Sequence, residues 1–184
     1  MIAKRALAVV GIATLPLATS ACKPPAAGET ATPSSAICKV GGTANEIGKI
    51  GLNKKQTRNA VIVIRVAVER DLPRRAAVIG IATTLQESYL DNGVVGDDGT
   101  AFGIFQQRPV SGWGTVETAT TPEVAAGKFY DQLVKVKRWK KRPLTEAAQA
   151  VQRSAYPNAY AKHEDEAEQI VAKLTPRACK EAGR

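Results

Sequence analysis

Residues 74–90, RRAAVIGIATTLQESYL, constrain the fold more than any other stretch of the chain. Val78, Ile79, Ile81, Ala82 and Leu85 crowd together, so a helix through them is apolar on nearly every side. A surface helix carries one apolar stripe, whereas a helix apolar all round belongs at the centre of a domain. Gly80 in its middle costs about 1 kcal/mol relative to alanine, which marks a point of close packing. Pro73 suits its first turn. The rest of the chain must then supply elements that cover this one.

Residues 59–68, NAVIVIRVAV, are rich in β-branched side chains, which favour a strand. Val61, Ile64, Val68 and then Leu72 nevertheless recur at helical spacing, and the polar lead-in 53–58 favours a helix. Thr120 and Glu123 bracket Pro122 in a capping-box pattern, with Ala125, Phe129, Leu133 and Val136 on one face of the helix that follows. Pro143 precedes a further helix over 144–153, and a last one spans 163–174 with Ile170, Val171 and Leu174 inward. Residues 91–103, DNGVVGDDGTAFG, read as a turn-rich loop or short hairpin. The expected fold is mainly α, with at most a small β element after the central helix. The domain is expected over 53–184, its folded part running from about Asn53 to Pro176.

The N-terminus reads as a secretory signal peptide over 1–21: Lys4 and Arg5, an apolar run over 6–17, then small residues before Cys22. Cysteine directly after small residues is similar to a bacterial lipobox, although Thr19 stands where that pattern prefers leucine. Diacylation of Cys22 and plain cleavage without a lipid both fit. Either one exports the protein, as a lipoprotein on the outer face of the membrane or as a secreted protein. Residues 22–52 then comprise the lipid-attachment cysteine, a Pro-, Ala-, Thr- and Ser-rich tether and a glycine-bearing loop. If Cys22 carries lipid, Cys38 and Cys179 remain as a pair that an exporting environment can oxidise. Such a bridge closes a loop of roughly 140 residues, worth about 4 to 5 kcal/mol on the chain-entropy model. Two unrelated buried thiols are the other reading.

The chain carries 26 basic and 17 acidic side chains, a net charge of +9, which favours an anionic partner. Nucleic acid and a bacterial wall with its carboxylates and anionic polymers both qualify, and export argues against nucleic acid. The basic run 135–142, which includes Trp139, reads as a solvated face, with binding of an anionic wall polymer as the alternative. The one histidine, His163, excludes a multi-histidine metal cage and the paired histidines of HExxH zinc chemistry. Followed by Glu164, Asp165 and Glu166, it reads as part of a solvated helical turn. No GxxxxGK[ST] phosphate loop and no GxSxG element is present. Outside the N-terminus no apolar run is long enough to span a membrane.

Glu87 stands near the end of the most apolar helix. Desolvation raises a carboxyl pKa, and the negative end of a helix dipole pushes the same way. A carboxyl held protonated near neutral pH is what a general acid requires. On composition alone, a Glu87 that simply faces solvent from the last turn stands beside this reading. The nine aromatic residues all lie between Tyr89 and Tyr160, a concentration that suits both a core and a sugar-binding cleft.

Gln86-Glu87-Ser88 is followed by Gly103-Ile104-Phe105-Gln106-Gln107 and, farther on, by Ser154-Ala155-Tyr156-Pro157-Asn158-Ala159-Tyr160. In these motifs, and over about 110 residues, the sequence resembles the lysozyme-like superfamily, specifically the SLT-type lytic transglycosylase domains, and actinobacterial cell-wall proteins of that class. Glu87-Ser88 matches the family's catalytic Glu-Ser pair, Gly103 to Gln106 its Gly-Leu-Met-Gln element, and Ser154-Ala155-Tyr156 approximates its Ala-Tyr-Asn element. Pro157 departs from the family's asparagine, with Asn158 one place later. The resemblance implies a lysozyme-like helical domain that cleaves the β-1,4 bond between N-acetylmuramic acid and N-acetylglucosamine in peptidoglycan, with Glu87 as general acid and base. It implies substrate contacts from Ser88, Gly103, Phe105, Gln106, Gln107, Tyr156 and Tyr160, no metal or other cofactor, and a monomer. Asp91, Asp97 and Asp98 are the nearby acids that a hydrolase could use as a second carboxylate. Asp97-Asp98-Gly99 also fits an ordinary turn, and a single glutamate suits a transglycosylase. A non-catalytic wall-binding module of the same fold is the alternative from another functional class.

Overall fold

The computed structural model describes residues 36–39 and 51–184. The signal peptide, Cys22, the tether at 23–35 and the loop at 40–50 lie outside the described residues. A four-residue helix α1, Ala36–Lys39, carries Cys38. Helix α2, Lys54–Glu69, settles the ambiguous β-branched run as helix. Its start is fixed by a capping box: the Asn53 side chain accepts from the backbone N–H groups of Lys55 and Gln56, and the Gln56 side chain accepts from Asn53 N–H at 2.9 Å. Burial of Ala60, Val61, Val63, Ile64, Ala67 and Val68 outweighs the modest helix propensity of valine and isoleucine.

Helix α3, Arg74–Ser88, is the central one, with every residue from Ala76 to Leu85 buried. Pro73 stands one residue ahead of it, at the N-cap. A Cβ on Gly80 would come within 2.6 Å of the Tyr130 hydroxyl and 3.2 Å of Val63, so the glycine lets two neighbouring elements approach. After α3 the chain forms a two-stranded antiparallel hairpin, β1 (Val95–Gly96) and β2 (Ala101–Phe102), around the turn Asp97–Gly99. Helix α4, Val116–Thr120, and helix α5, Pro122–Leu133, follow. The capping box here joins Thr115 and Thr118 at the start of α4. The expected box between Thr120 and Glu123 does not form, because the Thr120 hydroxyl already donates to the Val116 carbonyl within α4. Ala125, Phe129 and Leu133 are buried as expected, but Val136 lies past the end of α5 and is half-buried.

Helix α6 is Leu144–Gln152 and helix α7 is Glu164–Glu181. The expected end near Leu174 is too early: α7 runs through Pro176 to Glu181. Pro176 removes one backbone donor. Burial of Thr175, Ala178 and Cys179 and the disulfide from Cys179 to Cys38 hold the last turns in place. That bridge spans 141 residues of sequence with its Cα atoms 6.0 Å apart, so the two thiols are paired. Helices α2, α3 and α7 pack on one another, with α5 against α2 and α6 against α3. The domain is mainly α with a small two-stranded sheet after the central helix. Among the described residues, no helix is long and apolar enough to cross a membrane.

Candidate active site

The polar end of α3 is held by side chains from α2. Tyr89 and Leu90 both take left-handed backbone angles, with φ of 52° and 62°, and so end the helix abruptly. Their carbonyls accept from Gln56 Nε2 at 2.9 Å and Asn59 Nδ2 at 2.8 Å. Glu87 is thereby fixed just past the ten buried residues Ala76 to Leu85, at the end of the helix.

Glu87 is half-buried, and its Oε1 accepts a 2.8 Å hydrogen bond from the Tyr160 hydroxyl. Loss of solvent is the largest influence on its carboxyl and raises its pKa above the ordinary value of 4.5. The Tyr160 hydroxyl and the Gln152 amide oppose this by stabilising the charged form, and the negative charge of Asp97 adds to the rise. Burial likewise raises the Tyr160 phenol well above its ordinary range, so Tyr160 stays a neutral hydrogen-bond donor.

Ser88 and the 103–107 turn form the wall beside Glu87. Ser88 Oγ donates to the Ile104 carbonyl at 2.9 Å and so locks this turn to the end of α3. Gly103 has φ of 71°, and a Cβ there would run into the Ala119 carbonyl. Gln106, itself at φ 47°, donates from Nε2 to the carbonyls of Gly103 at 2.9 Å and Val94 at 3.0 Å. Gln152, at the end of α6, donates to the Phe105 carbonyl at 2.9 Å.

These contacts divide the residues expected from sequence. Glu87, Ser88, Gly103, Gln106 and Tyr160 are brought together around the end of α3. Gln107 needs correcting as a side-chain contact to a substrate, and Phe105 has only its backbone to present there. Phe105 is fully buried and stacked on Phe129 at 4.7 Å. Gln107 is 1% exposed, and its amide donates to the Ala125 carbonyl at 3.0 Å. Ile104 is buried with them, so the turn packs all its side chains but that of Gln106 against the core. Tyr156 is 75% exposed and makes no hydrogen bond to Glu87. His163 is also corrected: it is half-buried rather than solvated, and its Nε2 lies 3.2 Å from Gln86 Oε1. Burial lowers its pKa below 6.5, so it is neutral at pH 7.

The nearby acids have other partners. Asp91 accepts from Gly93 N–H at 2.9 Å, and Asp97 faces Arg108 at 3.5 Å. Asp98 occupies the turn with φ of 54°. Sequence reasoning missed Gln152 and the link from Gln86 to His163. Gln152 belongs to no motif, and only the packing of α6 brings it to the site; the 77-residue separation of Gln86 and His163 leaves no local signal. A half-buried carboxyl with a raised pKa, donors beside it and an anchored polar turn make a site able to deliver a proton to a bound oxygen. No family model matches this sequence and no curated relative is significantly similar to it, so its family resemblance rests on the motifs themselves.

Proposed function

We propose that the protein is a glycan-strand-cleaving enzyme of the bacterial wall, and more narrowly a peptidoglycan lytic transglycosylase with Glu87 as its acid and base. The observation that carries this reading is the half-buried Glu87 carboxyl at the end of α3, with its pKa raised and Tyr160 hydrogen-bonded to it at 2.8 Å. The motif resemblance supplies the substrate, the bond between N-acetylmuramic acid and N-acetylglucosamine.

In the proposed reaction, protonated Glu87 gives its proton to the bridging oxygen as the C1–O bond breaks. Positive charge develops on C1 and the ring oxygen of the muramyl sugar. The sugar's own C6 hydroxyl oxygen then bonds to C1, and its proton passes to the Glu87 carboxylate. The products are a 1,6-anhydro end and a free C4 hydroxyl, and Glu87 is regenerated. This route requires one carboxyl, which agrees with the engaged positions of Asp91 and Asp97. Tyr160 and Gln152 orient the Glu87 carboxyl. Export through residues 1–21 and anchoring through a lipid on Cys22 belong to the same proposal, since the substrate lies outside the cell.

The full chain is incubated with purified peptidoglycan and the soluble products are read by mass spectrometry, with Glu87→Gln in parallel. Anhydro-muropeptides that disappear in the variant are expected. Reducing-end products would replace the transglycosylase step with hydrolysis. Binding without any soluble product would replace the enzyme with a wall-binding module.

A further inference from the structure

The segment between α5 and α6 carries Lys135, Lys137, Arg138, Lys140, Lys141 and Arg142 within eight residues. The first five are exposed and enter none of the ion pairs seen among the described residues. Of the acids closest in sequence, Asp131 pairs with Arg70 at 2.6 Å, and Glu146, on the wall of the segment's smaller groove, pairs with Arg142 at 4.0 Å. Like charges this dense repel one another and weaken the fold unless an anion comes between them.

The segment is a built surface rather than a loose tail. Trp139 is only 6% exposed and anchors it to the core. Arg138 takes φ of 62°, turning the chain, and Lys141 and Arg142 N–H groups both donate to its carbonyl. Arg142 Nε closes the turn on the Lys137 carbonyl at 2.9 Å, and Arg75 holds the Arg142 carbonyl. Between these residues lies a groove of about 510 Å³ with Val134, Val136 and Trp139 among its walls. A second groove, of about 260 Å³, runs on past Arg138 and Lys141 to Pro143. Glu87 lines neither of them.

We propose that this segment is a binding site for a phosphodiester-linked polyol polymer, the chemistry of an anionic wall polymer. Its cations match a string of phosphates, and the apolar walls accept the carbon chain between them. Single-stranded nucleic acid would need an aromatic face for its bases, and the only aromatic ring of the segment is buried. A lipid surface would need an amphipathic helix or a projecting apolar face, whereas this segment is a series of turns. Site and catalytic centre would then hold the wall by two different chemistries, anionic polymer at one and glycan at the other.

The choice of a wall polymer rests on the glycan-cleaving reading, but binding does not require turnover. An inactive protein that still binds the polymer keeps this proposal and removes only the other. The full chain is titrated with poly(glycerol phosphate) over a range of salt concentrations. It is compared with the triple variant Lys137→Gln, Lys140→Gln, Lys141→Gln and with a control of equal charge, Lys54→Gln, Lys55→Gln, Lys180→Gln. The parent and control are expected to bind, with the logarithm of affinity falling linearly against the logarithm of salt. The segment variant should lose at least tenfold in affinity, and its salt slope should fall by about 2, near 0.7 per charge removed. Equal loss in the control would reduce the effect to net charge and overturn the site. Tighter binding of a single-stranded oligonucleotide with the same number of phosphates, or of phosphatidylglycerol vesicles, that the segment variant loses and the control keeps would overturn the polymer assignment, as would no binding of poly(glycerol phosphate) at all. Melting curves by circular dichroism check that both variants fold.

Discussion

The end of α3 and the basic segment between α5 and α6 are both polar, yet they use charge in opposite ways. At α3 a single carboxyl is half-buried, desolvated and hydrogen-bonded by a buried tyrosine. In the basic segment five cations stand exposed, without an acidic partner among the described residues, over an anchored tryptophan. Burial changes the proton affinity of one group and so makes it chemically distinctive. Exposure makes the sum of charges effective, over a range that salt sets. One region is suited to reaction and the other to attraction.

Substitutions at the two regions should therefore differ in kind as well as size. The largest effect is expected from Glu87→Gln, which keeps shape and removes the proton donor. Release of soluble muropeptides should fall by about 10³-fold with the fold intact by circular dichroism. Retained turnover would mean that burial at α3 has no chemical purpose, and the contrast would collapse. Gly103→Ala comes next, because the turn beside Glu87 has no room for a Cβ against the Ala119 carbonyl and demands a positive φ. A loss of about 2 kcal/mol in urea unfolding is expected, with activity reduced as well.

Tyr160→Phe sharpens the contrast at Glu87 itself. The tyrosine hydroxyl stabilises the carboxylate, so its removal should raise the Glu87 pKa further and move the alkaline limb of the pH–rate profile to higher pH. Turnover should fall about tenfold as the carboxyl loses its orienting partner. An unshifted limb would show that another group sets it. A smaller effect concerns stability. The Glu87 pKa is higher folded than unfolded, so its contribution is fully present below the ordinary value of 4.5 and is lost as pH rises through the folded value. Glu87→Gln should therefore melt above the parent at pH 7, with the gap narrowing as pH falls to 4. The smallest effect is expected on the other side of the comparison. The triple lysine variant of the basic segment should change unfolding free energy by no more than about 0.5 kcal/mol, because relief of repulsion among exposed cations is offset by loss of the Lys140 ammonium from its place 5.7 Å over the Trp139 ring.

Much of the scaffold was legible in the sequence. The all-round apolar pattern of 74–90 marked α3 as central, and Gly80 marked a point of close packing against Tyr130 and Val63. The two cysteines left after Cys22 pair across the domain. Helix ends were read less well. The Thr120–Glu123 pattern matched a capping box, but the box forms at Thr115–Thr118 at the start of the short helix α4, and α7 outran Pro176 because its last turn is clamped from outside. Phe105 and Gln107 show the limit for the site. A motif says which residues travel together, but not which of them turn inward.

What the sequence determined by itself is whatever depends on near neighbours: helical spacing, a glycine where two elements meet, a dense basic run, and Glu87 at the end of an apolar helix. What only the tertiary structure decided depends on residues far apart in the chain. Tyr160 reaches Glu87 across 73 residues, Gln152 reaches Phe105 across 47, and His163 meets Gln86 across 77. Hydrophobic periodicity is local because a helix repeats every few residues. The environment of a carboxyl is set by whichever elements pack against it, and burial around Glu87 exists only once α3, α6 and the 160–163 turn have come together.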